Sequence, residues 1–208
     1  MKKLLAIAVF LMAFSNAFAD LQKPNIFGIS FNIAQAFLRG DDAPDFGDYE
    51  SYISNLSFDA IIGINNRFGI HTGAGLTINA ITYINGNSDT GFGTHNAKDP
   101  KDDDSFGMVI EIPAMGRFYV SRFFYLEAGA TLGFNLFEDY HSGKTDEWNS
   151  VDEQNLLNVE IAGGLGATLG FGLEFSLKYT HGLTNMYEHG DLSNSRLVVG
   201  IGYWFNYK

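Results

Sequence analysis

Eight ionisable residues, Asp59, Glu111, Arg117, Glu127, Glu160, Glu174, Lys178 and Arg196, stand in segments whose alternate positions are apolar. Charges set among greasy side chains persist only when they are paired and hydrogen-bonded, because an isolated buried charge neutralises or destabilises the fold. Five carboxylates and three cations can satisfy one another. The expected chemistry is therefore a set of ion-pair networks, with Lys178 at the centre beside Glu160, Glu111 and Asp59. A competing use of the same groups is a narrow path for water or ions, which the excess of acids would tilt towards cations.

The five histidines are His71, His95, His141, His181 and His189. His181 and His189 with Ser193 or Asp191 have the residue types of a hydrolytic site, but no spacing enforces a triad and catalysis is not expected. His71 reads as a hydrogen-bonded filler. Two acidic clusters, Asp41, Asp42, Asp45 and Asp48, then Asp99, Asp102, Asp103 and Asp104, could attract a divalent ion. Neither has the D-x-[DN]-x-[DN]-G order of a calcium loop, and both read as solvated segments. Gly164-Leu-Gly166-Ala-Thr-Leu-Gly170 has the look of a phosphate-cradling loop. That motif needs a helix directly after it, and Phe171-Gly-Leu-Glu-Phe-Ser-Leu alternates like a strand, so the glycines read as room for bulky neighbours. With no cysteine, thiol catalysis and disulfide scaffolds are excluded. No cofactor and no metal site are expected.

The elements that carry these groups follow from a period of two. Phe27, Ile29, Phe31 and Ile33 alternate with small or polar residues, and seven further runs do the same: 56–64, 70–78, 108–114, 124–134, 157–169, 171–179 and 197–207. Short turns are expected near Asn65-Asn66-Arg67, at 119–122 and at Gly170, and longer polar connections at 39–54, 85–105, 138–154 and 184–193. The long segments hold 18 of the 24 acids and four bases, Arg39, Lys98, Lys101 and Lys144. Short connections at one end and long ones at the other are the plan of an up-and-down transmembrane barrel.

The compartment agrees with that plan. Lys2 and Lys3, an apolar run from Leu4 to Phe14 and the small-residue site Ala17-Phe-Ala19 form a cleavable signal peptide over 1–19, leaving 20–208 as one domain. Cleavage removes two lysines and no acid, so 11 basic residues face 24 acidic ones in the exported chain. Such a chain repels nucleic acid. Later segments lack the roughly 18 continuous apolar residues of a membrane helix, so any crossing must use strands. The expected fold is all-β: an eight-stranded antiparallel up-and-down transmembrane barrel.

In a bilayer every backbone polar group needs a partner, so the last strand must pair with the first. Gly200, Gly202, Tyr203, Phe205 and Tyr207 then read as a closing strand, with its aromatics on the lipid side near the periplasmic end, and as the assembly signal recognised during insertion. Three stretches, "IEIPAMGRFYVSRFFYLEAGATLGF" (110–134), "GLEFSLKYTHGLTN" (172–185) and "LVVGIGYWF" (197–205), resemble the porin-family outer-membrane β-barrel domain. That family is a relative in architecture of the OmpA transmembrane domain and OmpX. The resemblance implies a small outer-membrane barrel of Gram-negative envelopes, with no assigned activity. Its implied partners are outer-membrane lipids and lipopolysaccharide, with the barrel-insertion machinery and periplasmic chaperones during biogenesis, and its implied state is a monomer.

Overall fold

The computed structural model describes residues 25–41, 43, 49–83, 103–142, 147–150, 155–187, 191–205 and 207. The signal-peptide reading with Ala17 and Ala19, His95, His189, and Asp42, Asp45, Asp48, Asp99 and Asp102 of the acidic clusters lie outside the described residues. Eight long strands form the wall: β1 (Ile26–Arg39), β2 (Tyr49–Gly63), β3 (Phe68–Tyr83), β4 (Asp103–Tyr119), β5 (Phe124–Ser142), β7 (Leu157–Thr168), β8 (Leu173–Gly182) and β9 (Ser193–Phe205). A short β6 (Glu147–Ser150) pairs only with the end of β5, opposite Asp139–Ser142.

Each long strand pairs antiparallel with its neighbours in the chain, and β9 pairs with β1 from Phe27 opposite Phe205 to Arg39 opposite Ser193. The sheet is thereby closed into a ring, with the β1–β2 ladder stopping at Ala34 opposite Ile53. No helix among the described residues is long and apolar enough to cross a membrane. The crossing is made by strands.

Three tight turns gather at one end of the barrel, each built by local hydrogen bonding. Asn65 Oδ1 accepts the amides of Arg67 and Phe68 at 2.9 and 3.0 Å, and Ser121 Oγ does the same for Phe123 and Phe124 at 3.2 and 3.0 Å. The third turn uses Gly172 at φ 98°, a left-handed conformation that a side chain would strain. The long connections all lie at the other end. In outer-membrane barrels short turns lie in the periplasm and longer loops outside.

Alternation sorts the side chains as the period of two requires. Phe27, Ile29, Phe31 and Ile33, and their counterparts on the other strands, are exposed on the outer wall, while Asn32, Asp59, His71, Thr77, Arg117, Glu127 and Glu174 are buried inside. Apolar clusters lie at both ends of the lumen. Leu38, Tyr49, Ile81 and Leu192 cap the loop end; Ile26, Ile61 and Trp204 cap the turn end.

Two features depart from the expected pattern. β2, β4 and β5 run past their apolar stretches, so Glu50, Asp103, Asp104, Glu138 and Asp139, expected in loops, stand on strands. In addition, Met108 pairs with Phe137 and the next residue, Val109, with Asn135, so Leu136 is an extra residue in β5. Leu136 and Phe137 both face outward, and the phase of the strand flips. Glu138 is turned into the barrel, where it is 6% exposed.

Candidate functional site

The lumen holds its charges in two tiers. At the turn end the hub is Arg117 on β4. It lies on the same rung as Glu127 of β5, and it is among the most deeply buried side chains. Its guanidinium donates to Glu127 Oε2 through Nε at 3.1 Å and Nη2 at 2.9 Å, and through Nη1 to Glu174 Oε2 at 2.8 Å. Glu174 also accepts from Thr168 Oγ1 at 2.9 Å and from Trp204 Nε1 at 2.6 Å. Arg117 Cζ stacks 3.7 Å from the centre of the Tyr125 ring. A planar, five-donor cation suits this site, where two carboxylates approach from different strands.

His71 extends the tier sideways. Its Nδ1 is 3.2 Å from Glu127 Oε2 and its Nε2 is 3.4 Å from Asp59 Oδ1, so the imidazole bridges two carboxylates. Asp59 in turn accepts from Ser57 Oγ at 2.9 Å. Among the described residues Lys178 forms one ion pair, with Glu127 at 3.6 Å, and none with Glu160 or Glu111.

The second tier is nearer the loop end and centres on Arg196. Its Nη1 donates to Glu111 Oε1 at 2.7 Å and its Nη2 to Glu160 Oε2 at 2.6 Å, while Nε reaches Thr180 Oγ1 at 3.4 Å. Between the tiers runs a neutral ladder in which Asn32 donates to Asn55 at 3.0 Å and Asn55 to Thr77 at 2.8 Å. Arg196, with Glu111 and Thr131, lines two internal cavities of about 50 and 70 Å³. Cavities of this size with polar walls suit a few ordered waters.

Above Arg196, Glu138 accepts from Ser105 Oγ at 2.5 Å and from Tyr187 Oη at 2.9 Å. Burial first, and then the Glu138 charge, push the Tyr187 hydroxyl well above its usual pKa, so it stays a donor. Glu138 was outside the expected set because the bulge that turns it inward leaves no trace in the alternation. Trp204 and Tyr125 were legible, since each lies between two outward-facing neighbours. What the spacing lacked was any sign that they would touch Arg117 and Glu174.

Lys178 is the main correction. The expected centre of the lumen is occupied instead by Arg117 and Arg196, whose forked guanidinium groups each take two carboxylates. A single ammonium on β8 meets one. Glu111 and Glu160 are taken up by Arg196, and Asp59 by His71.

On the closing strand, Tyr203 and Phe205 face outward with their rings 5.6 Å apart. Tyr207 departs from the expected lipid-facing row: it packs against the Ile26, Ile61 and Trp204 cluster, and its hydroxyl donates to the carbonyl of Arg122 at 3.2 Å. It tucks under the barrel end because the strand has ended at Phe205. Gly200 faces inward, where a methyl group would run into Asn32 and Ser176. Gly202 lies opposite Glu174 on β8. The Gly164–Gly170 segment holds no phosphate loop: Gly164 and Gly166 are on β7, and a methyl group on Gly166 would collide with the Tyr125 ring.

Among the described residues, His181, Ser193 and Asp191 do not assemble as a triad. His181 Nδ1 lies 3.4 Å from Ser195 Oγ, not against Ser193. Asp191 accepts from the amide of Asp41 at 3.4 Å. Among the described residues no group of three or more His, Asp and Glu is placed to hold a metal ion.

Residues 26–188 match the family described as outer membrane protein beta-barrel domain. No curated protein sequence matches the chain. Among solved structures, Ail of Yersinia pestis in complex with the heparin analogue sucrose octasulfate is similar at 16% identity and a TM-score of 0.54, covering 88% of this chain and 100% of that one. Neisserial surface protein A is similar at 11% identity and a TM-score of 0.55, covering 86% of this chain and 97% of that one. At these identities the likeness is one of fold. Closed strands, an apolar outer wall and a polar, filled interior agree with the family match: this chain belongs to the outer membrane protein beta-barrel domain family and resides in the outer membrane.

Proposed function

We propose that this barrel is a sealed, non-enzymatic element of the outer membrane that holds acidic loops at the cell surface for interaction. The observation that carries the reading is the pair of charge tiers, Arg117 with Glu127 and Glu174, and Arg196 with Glu111 and Glu160, which cross the lumen at two heights. An eight-stranded interior is narrow enough for side chains to fill it. Salt-bridged side chains across the bore leave no continuous water path. Function then falls to the outer surface and the loops.

The chemistry of a loop partner follows from charge. The segments assigned to the outside carry 18 acids, of which Glu138 is turned into the barrel, and four bases, an unfavourable surface for a polyanion such as the sulfated sugar bound by Ail. A cationic or cation-bridged partner fits instead, and lipopolysaccharide held by divalent ions is one such surface. Assembly by the insertion machinery through Tyr203 and Phe205, passage with periplasmic chaperones and a monomeric state belong to the same proposal.

A narrow, weakly cation-preferring pore is the second reading, favoured by the two small cavities and by the surplus of lumenal acids. Planar-bilayer recording of the refolded protein separates the two. The sealed barrel shows no steady conductance above background, whereas steady cation-selective steps from the wild type support the pore. Binding of the intact and loop-deleted barrel to polycations and polyanions then tests the loop assignment; equal binding by both forms removes it.

A further inference from the structure

We propose that the outer wall where β8, β9 and β1 meet binds a phosphorylated, acylated lipid of the outer leaflet, with Arg39 and His181 at the phosphate and one acyl chain in a notch between β1 and β2. The proposal rests on the loops facing outward and is independent of whether the lumen is sealed.

Arg39 lies opposite Ser193, on the same outward face of β1 as Ile33 and Gln35. Its Nε donates to Ser195 Oγ at 2.8 Å and its Nη2 to the carbonyl of Gly182 at 3.1 Å. Arg117 and Arg196 each grip two carboxylates, whereas Arg39 has only neutral partners among the described residues. His181, opposite Ser195, stands beside it on the same face; its Nδ1 is 3.4 Å from both Ser195 Oγ and Tyr179 Oη. In a chain with almost twice as many acids as bases, a cation on the outer wall that no described carboxylate pairs calls for an external anion. Arginine at the edge of a bilayer keeps its stem along apolar surface and its head at the level of the phosphates.

The second observation is a break in the wall below it. The β1–β2 ladder ends at Ala34 opposite Ile53, although β1 runs on to Arg39 and β2 begins at Tyr49. Side chains take over the missing ladder. Ser51 Oγ accepts the Ala36 amide and the Gln35 side chain, both at 2.8 Å, and Tyr49 Oη accepts the Leu38 amide at 2.9 Å. A notch of about 470 Å³ opens there, bordered by inward residues Ser51 and Ile53 and by outward Ile33, Leu197 and Val199. Its walls are mostly apolar and it faces the hydrocarbon. What fills it is an acyl chain.

The spacing joins the two features. Arg39 lies four to six residues beyond Gln35 and Ile33 on one face of one strand, a rise of roughly 13–20 Å. Half the hydrocarbon thickness of a bilayer is about 15 Å. A lipid with its phosphate at Arg39 therefore brings its chain down to the notch.

Native mass spectrometry of the refolded mature protein tests this, with lipid A as the probe against the same lipid stripped of its phosphates. The wild type is expected to retain one phosphorylated lipid at least tenfold more strongly than the dephosphorylated one. R39Q/H181Q abolishes that preference, and L197W, which fills the notch, weakens retention of both lipids. Heat-modifiable migration on gels establishes that each variant is folded, and R122Q at the turn end should behave as the wild type. Equal retention of the two lipids by the wild type, or an undiminished preference in folded R39Q/H181Q, overturns the headgroup site. Retention unchanged by L197W overturns the notch, and retention abolished by inorganic phosphate alone overturns the lipid site in favour of a simple anion site.

Discussion

Lys178 Nζ stands 3.6 Å from Glu127 Oε1, at the margin of a network whose centre is Arg117. The Lys178 side chain is 20% exposed and that of Arg117 is 1% exposed. The two cations thus share a carboxylate but not a role. Replacing Lys178 with Met removes one long, partly solvated contact and should cost about 1 kcal/mol or less. Replacing Arg117 with Met leaves Glu127 and Glu174 facing each other in a dry space, at about 3–5 kcal/mol. Urea unfolding in detergent measures both, and equal midpoint shifts would contradict this ranking.

Arg196 borders both of the internal cavities, so its truncation is expected to join them. Arg196→Met leaves Glu111 and Glu160 beside the widened passage without their cation. Bilayer recordings of this variant are expected to show small cation-selective steps that are absent from the wild type. A silent Arg196→Met barrel that is folded would mean that the apolar clusters at the two ends, rather than the charge tiers, seal the lumen.

Tyr125 can stack on Arg117 because Gly166 has no side chain to displace it. Gly166→Val should push the ring aside and destabilise the barrel by about 1–3 kcal/mol, the usual cost of overpacking a filled interior. Gly163→Ala, three residues earlier, meets nothing closer than the Glu127 carbonyl at 4.0 Å and should be near neutral. Thermal unfolding of the two variants checks the contrast.

The closing strand separates aromatic residues by face. Replacing Tyr203 and Phe205 with Asp puts charge on the lipid side of the seam and should sharply reduce the folded, heat-modifiable protein recovered from outer membranes. Tyr207→Phe keeps the ring in its apolar cluster, removes the hydroxyl that donates to the Arg122 carbonyl, and should leave that amount nearly unchanged. Similar losses in both variants would show that Tyr207, not the outward pair, carries the assembly signal.

Orientation is open to direct labelling. An epitope inserted at Asn87, in the long acidic connection, should be reached by antibody on intact cells, and one at Asn66, in a three-residue turn, should not. Labelling at Asn66 alone would invert the barrel and remove the lipid site from the outer leaflet.

The period of two in the sequence by itself determined the eight wall strands and which side chains face inward. That follows because a strand in a closed wall between lipid and a packed bore has only two faces, and each residue type tolerates one of them. It therefore assigned Asp59, Glu111, Arg117, Glu127, Glu160, Glu174, Lys178 and Arg196 to one interior. Their pairing was not legible, since partners are chosen by the height at which each strand delivers its side chain, and that depends on register and stagger around the ring. Arg117 meets Glu127 across one rung, but it meets Glu174 only because β8 is carried across the bore from β4. The same holds for Glu138, turned inward by a one-residue bulge, and for the β1–β2 notch, where two strands long enough to pair part company above Ala34 and Ile53. Such features arise from fitting twisted strands into a closed ring, a constraint that acts between segments distant in the chain and leaves no local pattern.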